Sequence, residues 1–395
     1  MTEFQYSLIR NERLGEMVGM SQKNRKSRGK ITMLTMGIIL ILLSLFVLTL
    51  LGFRGYKQHK ISAQAETFIK NGGISQIEKL SIGGVKHYLL IEGQDKNNPV
   101  CVFLHGGPGS PMPFGASSRS MFPEITKSCT AVYYDQRGAG KSYHKGIEKE
   151  TMNIEQFISD ANEIVDYIRH ELHQDKVFIV GNSFGSIIGA ELASRYPEKI
   201  HAYIGFAQVT DFMENQKLAA QWLNKEADKK HDTKMKSALQ NLGEGPYSVK
   251  EADQLGDFLD KYSAHNYSDE TVKKANIFHL SKGIFLSPDY SLADIYITLV
   301  PAANFSYFKS EALKEELNKT NLFKSVPKIE VPVYFIQGKH DKATNYLLAK
   351  QYYDKLIAPK GKEFIVLENS AHYSNKEDFR LFEKTLTRIV KTVSR

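Results

Sequence analysis

The hydrophobic and polar positions of the chain separate one long apolar run from everything that follows it. Residues 31–53, ITMLTMGIILILLSLFVLTLLGF, contain no charged side chain between Lys30 and Arg54. A helix of this length extends about 34 Å, which is enough to cross a hydrocarbon core of roughly 30 Å. The pattern therefore predicts one transmembrane helix over 31–53.

Two other interpretations of this run stay open. A cleaved signal peptide is one, because Ala63-Gln64-Ala65 looks like a cleavage site, although the run is longer than a usual signal core and RGYKQHK separates the two. A buried core helix is the other, although such helices rarely stay apolar on every face. The pattern favours an uncleaved anchor.

Basic residues are denser before the run than after it. Residues 1–30 hold seven Lys or Arg against three Glu, whereas Arg54, Lys57 and Lys60 follow the run. Because the cytoplasmic flanks of membrane spans are enriched in Lys and Arg, we predict a cytoplasmic basic tail over 1–30. A polar stalk over 54–75 and the rest of the chain would then lie outside the cytoplasm.

From about residue 76 the pattern changes to short apolar runs separated by turns and amphipathic stretches. IEKLSI and VKHYLLIEG predict a hairpin, and VCVFLHG, TAVYYD, KVFIVGN, AYIGFAQ, VPVYFIQG and KEFIVLEN predict further strands. Most of the later runs are nearly continuously apolar, which is typical of parallel strands buried on both faces. With helical stretches between them, they predict an α/β fold with a mostly parallel eight-stranded sheet.

The alternation stops between residues 210 and 325, where the pattern is that of polar, amphipathic helices. An insertion between strands six and seven would lie over the carboxyl edge of the sheet, where open α/β sheets bind ligands. We therefore predict a helical lid over 210–325. It divides the core into a first part, 76–209, and a second part, 326–395.

Composition and charge change this picture little. The chain has 395 residues and a formal net charge of +8, but half of that excess belongs to the tail, and no basic block is interleaved with aromatics. Nucleic acid is therefore not expected as a partner. Since no residue cluster has metal-ligand spacing, no cofactor is predicted. Cys101 and Cys129 are expected as buried thiols, with a disulfide as the alternative.

A serine stands between two glycines in VGNSFGSIIG, after a predicted buried strand and before a predicted helix. In this setting Gly-x-Ser-x-Gly forms a strained turn that lifts the hydroxyl of Ser183 above the sheet. Gly181 and Gly185 fit such a turn, because a side chain at either position would crowd it or the adjoining strand. The motif predicts that Ser183 is a nucleophile.

A serine nucleophile needs a base, and the base needs a carboxylate to orient it. Asp341 follows the seventh predicted strand and His372 follows the eighth, which is the chain order expected of this architecture. Taken alone, Asp341 would be a solvated turn residue and His372 an ordinary surface or core histidine. Together with Ser183 they predict a catalytic triad.

The loop HGGPGS, residues 105–110, follows the third predicted strand. By itself it would be an ordinary glycine turn, but in this position it is suited to approach a substrate closely. Acyl transfer places negative charge on an oxygen, and two N–H donors aimed at that oxygen are worth roughly 3 to 4 kcal/mol each. We predict that the amides of Gly107 and Phe184 form this oxyanion hole.

HGGPG, DQRGAGKS at 135–142, GNSFGS and the late Asp and His together resemble the prolyl aminopeptidases, or proline iminopeptidases, of the α/β-hydrolase superfamily. The resemblance covers roughly 76–208 and 326–395, and the pairing of HGGPG with DQRG is its most specific part. It implies an α/β-hydrolase fold and a serine hydrolase that acts through an acyl-enzyme. Beside the residues already named, the active-site loops would contain His105, Gly106, Pro108, Gly109, Asp135, Gln136, Arg137 and Gly138, of which the last four would brace the floor of the site.

The sequence departs from this family at two places. The elbow has Asn182 and Phe184 where the family commonly has Gly and Trp, and Trp222 is followed by Leu223 instead of the Glu of a lid Trp-Glu motif. These departures bear on prolyl specificity and leave the hydrolase chemistry unchanged. The sequence favours an aminopeptidase that releases N-terminal residues from short peptides. A carboxylesterase or lipase-like hydrolase of small esters and a non-catalytic binding protein are the alternatives.

The expected partners are a small-molecule or short-peptide substrate and, through residues 31–53, a lipid bilayer; the sequence makes no prediction of oligomeric state. An exopeptidase must bind a free α-amino group, for which a carboxylate in a partly desolvated pocket is suited. The lid offers several acids, each of which would by default lie on a solvated helix face: Glu214, Glu226, Asp228, Glu244 and Asp253.

Overall fold

The computed structural model describes residues 3–308 and 310–394. Within these ranges, only the backbone is described for 3–9, 11–12, 18–19, 21–32, 277–279 and 307–308. The side chains of Lys23, Arg25, Lys26, Arg28 and Lys30 in the predicted basic tail therefore lie outside the described part of the chain. Residues up to Gln58 form one compact unit, and residues from His59 onward form a second.

One long helix, α1 (Glu3–Lys70), includes the predicted apolar run. The segment Met33–Lys70 contains an 18-residue window with a mean hydropathy of 2.8, none of which is buried. By length and composition this segment is suited to span a membrane.

The predicted stalk is helical as far as Lys70. In the second unit, Ile61, Ala65 and Phe68 recur at helical spacing, and the last two are buried. Ser120 Oγ donates a hydrogen bond to Ile61 O at 3.4 Å. The end of α1 is therefore packed into the second unit, which the polar composition of the stalk did not indicate.

The predicted eight-stranded sheet is confirmed, with the strand order β1-β2-β4-β3-β5-β6-β7-β8. The hairpin of β1 and β2 is antiparallel, β2 pairs antiparallel with β4, and the pairs from β4 to β8 are parallel. The strands are β1 (Ile74–Ile82), β2 (Val85–Gly93), β3 (Val100–Leu104), β4 (Thr130–Asp135), β5 (Val177–Asn182), β6 (Ile200–Phe206), β7 (Val333–Gly338) and β8 (Lys362–Leu367).

The sheet is buried on both faces because alternate residues of its strands belong to two different cores. In β3, Val102 and Leu104 join one core, while Cys101 and Phe103 join the other. Cys101 and Cys129 are both buried as free thiols, the first of the two expected states. Besides α1, the α-helices of the described residues outside the insertion are α2 (Pro123–Thr126), α3 (Ile154–Glu171), α4 (Phe184–Arg195), α12 (Tyr346–Lys355) and α13 (Lys376–Val393).

A helical insertion lies between β6 and β7, as predicted. Its first three helices, α5 to α7, bury a small core of their own, which includes Leu223, Leu239 and Leu255. Asp211, Asp232, Ser248 and Ser291 begin four of its helices, and each side chain accepts the N–H of the third helical residue. The helices are α5 (Phe212–Lys229), α6 (Thr233–Leu242), α7 (Val249–Lys261), α8 (Ile277–Leu286), α9 (Leu292–Ile297), α10 (Glu311–Lys319) and α11 (Leu322–Ser325), with π-helical turns at Thr298–Ala302 and Asn304–Phe308.

Candidate active site

Ser183 occupies the sharp turn between β5 and α4. Its backbone has φ 51° and ψ −119°, a conformation that costs energy for a residue with a side chain. The turn is held at both ends: the N–H of Ser183 donates to Phe206 O at 2.9 Å, and its carbonyl accepts from Ser186 N at 2.8 Å. The backbone conformation is therefore fixed by the neighbouring strand and helix.

The glycines on either side of Ser183 have no room for a side chain. A Cβ atom at Gly185 would lie 2.1 Å from Leu104 O in β3, and one at Gly181 would lie 2.6 Å from the carbonyl oxygen of Gly185. Both distances are far below van der Waals contact with a backbone atom, which cannot move aside freely. Glycine is needed at these positions because helix α4 packs directly against the ends of two strands.

Asp341 and His372 lie in the loops after β7 and β8, and they are hydrogen-bonded to each other. His372 Nδ1 is 2.9 Å from Asp341 Oδ2. The carboxylate of Asp341 is fully buried and also accepts the N–H groups of Ala343 and Thr344 at 2.8 Å each and the hydroxyl of Thr344 at 2.7 Å. The carboxylate is thus fixed in position by the turn that follows it.

This contact shifts the pKa of both groups. Burial acts to raise the pKa of Asp341, but the charge of His372 and the hydrogen bonds outweigh it and hold that pKa below its usual value. Burial acts to lower the pKa of His372, but Asp341 outweighs it and raises that pKa above the usual value. With Nδ1–H donated to Asp341, Nε2 of a neutral His372 is the nitrogen left to accept a proton.

A cavity of about 80 Å³ lies beside these residues. Asn182 next to Ser183, Phe206 at the end of β6, and His372 all line it. The remaining lining residues come from the loop after β3, from α8, from the His372 loop and from α13: Ser110, Met112, Pro113, Leu280, Tyr373, Ser374 and Phe379. The loops after β3, β5 and β8 therefore meet at one small, largely apolar cavity.

The two predicted oxyanion donors differ in how the fold presents them. Gly107 has φ 120°, a conformation that L side chains rarely adopt. Phe184 is the first residue of α4, so that its N–H has no acceptor within the helix. Within the described residues, neither N–H is hydrogen-bonded.

The rest of the HGGPG loop packs against the elbow and the insertion. A Cβ atom at Gly106 would lie 3.1 Å from Ser183 Cβ, and one at Gly109 would lie 2.4 Å from Ser306 Cβ in the insertion. Pro108 lies between them in the chain. The loop is therefore enclosed between the proposed nucleophile and the lid.

His105 links the HGGPG loop to the DQRG loop. Its Nε2 accepts the N–H of Gln136 at 3.0 Å, its carbonyl accepts from Gln136 Nε2 at 2.7 Å, and its Nδ1 donates to Gly106 O at 2.8 Å. Burial lowers the pKa of His105 to about 4, so the ring is neutral at neutral pH. These bonds give a physical reason why the two motifs occur together.

Asp135 and Arg137 fasten the DQRG loop to the core. Asp135 is fully buried and accepts the N–H groups of Ala116 and Lys141 at 2.9 Å each and the hydroxyl of Tyr290 from the insertion. Burial raises its pKa to about 6 in spite of these hydrogen bonds. Arg137 forms two 2.8 Å bonds with the carboxylate of Asp160 in α3.

Gly138 completes the floor. Its carbonyl accepts a hydrogen bond from the hydroxyl of Ser306 at 2.9 Å, and a Cβ at this glycine would lie 2.7 Å from Ser306 Oγ. The DQRG residues therefore connect the floor of the site to α3 and to the lid. Their contacts are structural.

The lid acids considered from the sequence lie elsewhere. Glu244 is exposed, and the other four pair with lysines. None of the five is among the described residues that line the cavity. The pairs are Glu214–Lys217 at 3.3 Å, Glu226–Lys229 at 2.7 Å, Asp253–Lys314 at 2.6 Å, and Asp228–Lys236.

The site residues missed from the sequence include three that contact Asp341, Asp135 and His372. Thr344, which bonds Asp341, follows it at the spacing of a local Asp–Thr turn, and that spacing was a usable signal. Tyr290, which bonds Asp135, and His265, whose ring lies 5.6 Å from the ring of His372, come from the insertion. No local pattern in the sequence distinguishes them from other aromatic residues of the lid.

The eight-stranded sheet with its helical insertion and its loops at the carboxyl edge is the architecture of the α/β hydrolases. A sequence model described as the alpha/beta hydrolase fold matches residues 99–379, and the chain belongs to this family. The protein is therefore a hydrolase by family, and the resemblance predicted from HGGPG and DQRG is confirmed.

Its relatives include enzymes named as aminopeptidases. Probable aminopeptidase YbaC of Bacillus subtilis strain 168 is 31% identical over 316 residues, which cover 80% of this chain and 96% of that protein. Proline iminopeptidase of Heyndrickxia coagulans is 25% identical over 302 residues, or 73% of this chain and 89% of that one. The crystal structure of proline iminopeptidase of Mycobacterium smegmatis has a TM-score of 0.57 at 16% identity, covers 80% of this chain and 98% of its own, and supports the fold.

Proposed function

We propose that the protein is a serine hydrolase whose triad is Ser183, His372 and Asp341, and that it acts as an aminopeptidase on short peptides. The observation that carries the proposal is the 2.9 Å bond between His372 Nδ1 and Asp341 Oδ2, in loops next to an elbow that holds Ser183 at φ 51°. The names of two relatives, an aminopeptidase and a proline iminopeptidase, favour the aminopeptidase activity.

The chemistry assigns one task to each group. Nε2 of His372 accepts the proton of Ser183 as its Oγ attacks the substrate carbonyl carbon, and Asp341 stabilises the imidazolium that forms. The amides of Gly107 and Phe184 donate to the oxyanion of the tetrahedral intermediate. His372 then protonates the leaving amine, and the acyl group remains bonded to Ser183 Oγ. His372 next takes a proton from water as the water attacks this ester, and it returns the proton to Oγ as the acid leaves.

The cavity supports a compact acyl group as the part of the substrate bound next to Ser183. Its volume of about 80 Å³ is close to half that of a cavity of about 150 Å³ known to bind benzene. An alanyl or prolyl group, or a short acyl ester, fits this size better than an aromatic one. The cavity thus agrees with both the aminopeptidase and the small-ester alternatives.

We further propose that α1 anchors the protein in a membrane through residues 31–53, with the tail of 1–30 in the cytoplasm and the hydrolase domain outside. The exposed, apolar surface of residues 33–53 supports the span, and the excess of Lys and Arg before the segment supports the orientation. Protease added to spheroplasts is expected to degrade the hydrolase domain. Full protection would reverse the orientation, and a mature chain beginning at Glu66 would favour a cleaved signal peptide.

The activity is tested with matched substrates. Alanyl and prolyl p-nitroanilides, their N-acetylated forms and short p-nitrophenyl esters are compared for the wild type and Ser183→Ala, with a fluorophosphonate probe to label an active serine. For an aminopeptidase we expect cleavage of the free-amine anilides that is lost in Ser183→Ala and weakened when the substrate is N-acetylated. Equal hydrolysis of blocked and free substrates, or ester hydrolysis without amidase activity, would establish the esterase alternative.

A further inference from the structure

One short segment of the lid contacts the loop that carries His372. The lid clamp, defined as residues 260–267, runs from the end of α7 into the following loop. The carbonyl of His265 accepts the N–H of Tyr373 at 2.9 Å. The ring of His265 lies 5.6 Å from the ring of His372 at an interplanar angle of 74°, an edge-to-face contact.

The same segment contacts the loop that carries Asp341. Tyr267 stacks on His340, the residue before Asp341, with ring centroids 3.6 Å apart and an interplanar angle of 3°. The hydroxyl of Tyr267 donates to Asp269 Oδ2 at 2.7 Å, which fixes the ring from the lid side. Residues 260–267 therefore contact two loops that follow different strands. One loop carries His372, the proposed base, and the other carries Asp341.

His265 has four titratable neighbours. Its Nδ1 lies 3.0 Å from Asp260 Oδ1, and it also faces His372, Tyr373 and Asp341. The side chain of Asp260 is 73% exposed, so its contact with His265 is well hydrated and contributes little. Burial, followed by the charge of His372, lowers the pKa of His265. At neutral pH His265 is therefore an uncharged ring that covers His372.

We propose that His265 is a positioning residue that acts through His372: the lid clamp aligns the His372–Asp341 pair and shields the imidazole from water. This inference rests on the proposed function of His372 as the base. It connects the seating of the lid to the geometry of the proton transfer, because displacement of residues 260–267 would release the backbone bond to Tyr373 and the ring contact together. A misplacement of about 1 Å is enough to slow such a step by about 100-fold.

The test uses the full-length protein in detergent or nanodiscs, with the p-nitroanilide or ester that the wild type hydrolyses. Three variants are compared: His265→Ala, which removes the covering ring; His265→Phe, which keeps a ring; and His170→Ala, a control on the exposed face of α3. Measurements are kcat, KM, the pH dependence of kcat/KM, and thermal unfolding. If His265→Ala does not fold, His265→Gln takes its place.

For His265→Ala we expect kcat to fall at least about 10-fold while KM changes less than about twofold. The acid limb of kcat/KM should move to higher pH, because a more hydrated His372 binds its proton more tightly. His265→Phe should recover most of kcat and the wild-type limb, and His170→Ala should match the wild type. Together these results support positioning by the ring.

Two results would overturn the inference while the proposed function stands: wild-type kcat and pH limb in a folded His265→Ala, or a defect in His265→Phe equal to that of His265→Ala. If the wild type hydrolyses none of the substrates and the fluorophosphonate probe does not label Ser183, the proposed function fails, and the inference fails with it.

Discussion

Two histidines lie in loops at the carboxyl edge of the same sheet, and their surroundings shift their pKa values in opposite directions. His105, after β3, is fully buried among hydrogen bonds to neutral groups, and burial lowers its pKa to about 4. His372, after β8, is only 12% exposed, yet its contact with Asp341 raises its pKa above the usual value. The partner decides between the two outcomes, because burial alone disfavours the imidazolium in both places.

The two acids show the same contrast. Asp135 and Asp341 are both fully buried, but burial raises the pKa of Asp135 to about 6, while the imidazole and the hydrogen bonds outweigh burial at Asp341. His105 and Asp135 thus hold loops together, and we call them the brace residues. In the proposed mechanism His372 takes up and returns the proton, and Asp341 stabilises the imidazolium that forms.

The largest effect, on kcat, is expected for variants of the proposed triad. Ser183→Ala and His372→Ala should each lower kcat by about 10⁴ to 10⁶-fold, and Asp341→Asn by about 10⁴-fold, because the three groups act as one unit. Their losses should not add in double variants. The measurement is kcat with one substrate for every variant, and thermal unfolding checks that each variant is folded. Substantial turnover by a folded Ser183→Ala protein would remove the assignment.

The DQRG loop should respond in stability. Arg137→Ala removes two of the bonds to the buried carboxylate of Asp160, which keeps its contacts with Gln156 and His87, and should lower the free energy of unfolding by about 3 to 5 kcal/mol. Arg169→Ala is the matched control, because its pair with Asp166 at 3.1 Å is partly exposed and should contribute less than about 1 kcal/mol. Urea denaturation measures both, and equal losses would contradict the structural role of Arg137.

The two acids should affect the pH dependence of stability with opposite sign. The folded pKa of Asp135 is raised from 3.8 to about 6. The contribution of Asp135 to the free energy of unfolding is therefore present at low pH, and about 3 kcal/mol of it is lost as pH rises through 6. The folded pKa of Asp341 is lowered, so its share is present above the unfolded pKa and is lost as pH falls.

Denaturation of the wild type, Asp135→Asn and Asp341→Asn between about pH 2 and 7.5 tests this sign. The stability of Asp135→Asn should lack the part of the wild-type curve that falls as pH rises. The stability of Asp341→Asn should lack the part that increases as pH rises. Curves that change in the same direction for both variants would show that the two carboxylates have the same environment.

A smaller effect is expected for His105→Gln. The free energy of unfolding should fall by about 1 to 3 kcal/mol, because the N–H of Gln136 loses its buried acceptor. The acid limb of kcat/KM should stay within about 0.3 pH units of the wild type, since His372 and not His105 titrates there. A displaced limb would mean that His105 takes part in the proton transfer.

The strands were predictable because their sequence runs are continuous and local. VCVFL, TAVYYD and KVFIVGN are apolar on both faces, and they form β3, β4 and β5. The candidate residues were predictable for a related reason: each follows a strand, and parallel strands bring their carboxyl ends to one edge. Chain order alone was then enough to place Ser183, Asp341 and His372 in loops at that edge.

Contacts made by the lid were not predictable in this way. The hydrophobic periodicity of α7 indicates which face of the helix is apolar, but it does not predict the position of the loop that follows. The contact of His265 with His372 was therefore missed. Likewise, the contact made by Phe184, at the position where the family commonly has Trp, is visible only in the fold. Its ring meets Phe157 of α3 edge-on at 5.1 Å.

The bond between Tyr290 and Asp135 limits how this enzyme can be recombined with its relatives. Helices α5 to α7 have their own core, so a chimaera that exchanges them alone keeps the floor of the site intact. A chimaera that exchanges the whole insertion also replaces the hydroxyls of Tyr290 and Ser306, which Asp135 and Gly138 accept. Such a graft must bring a hydroxyl to each acceptor, or substitute Asp135 at the same time.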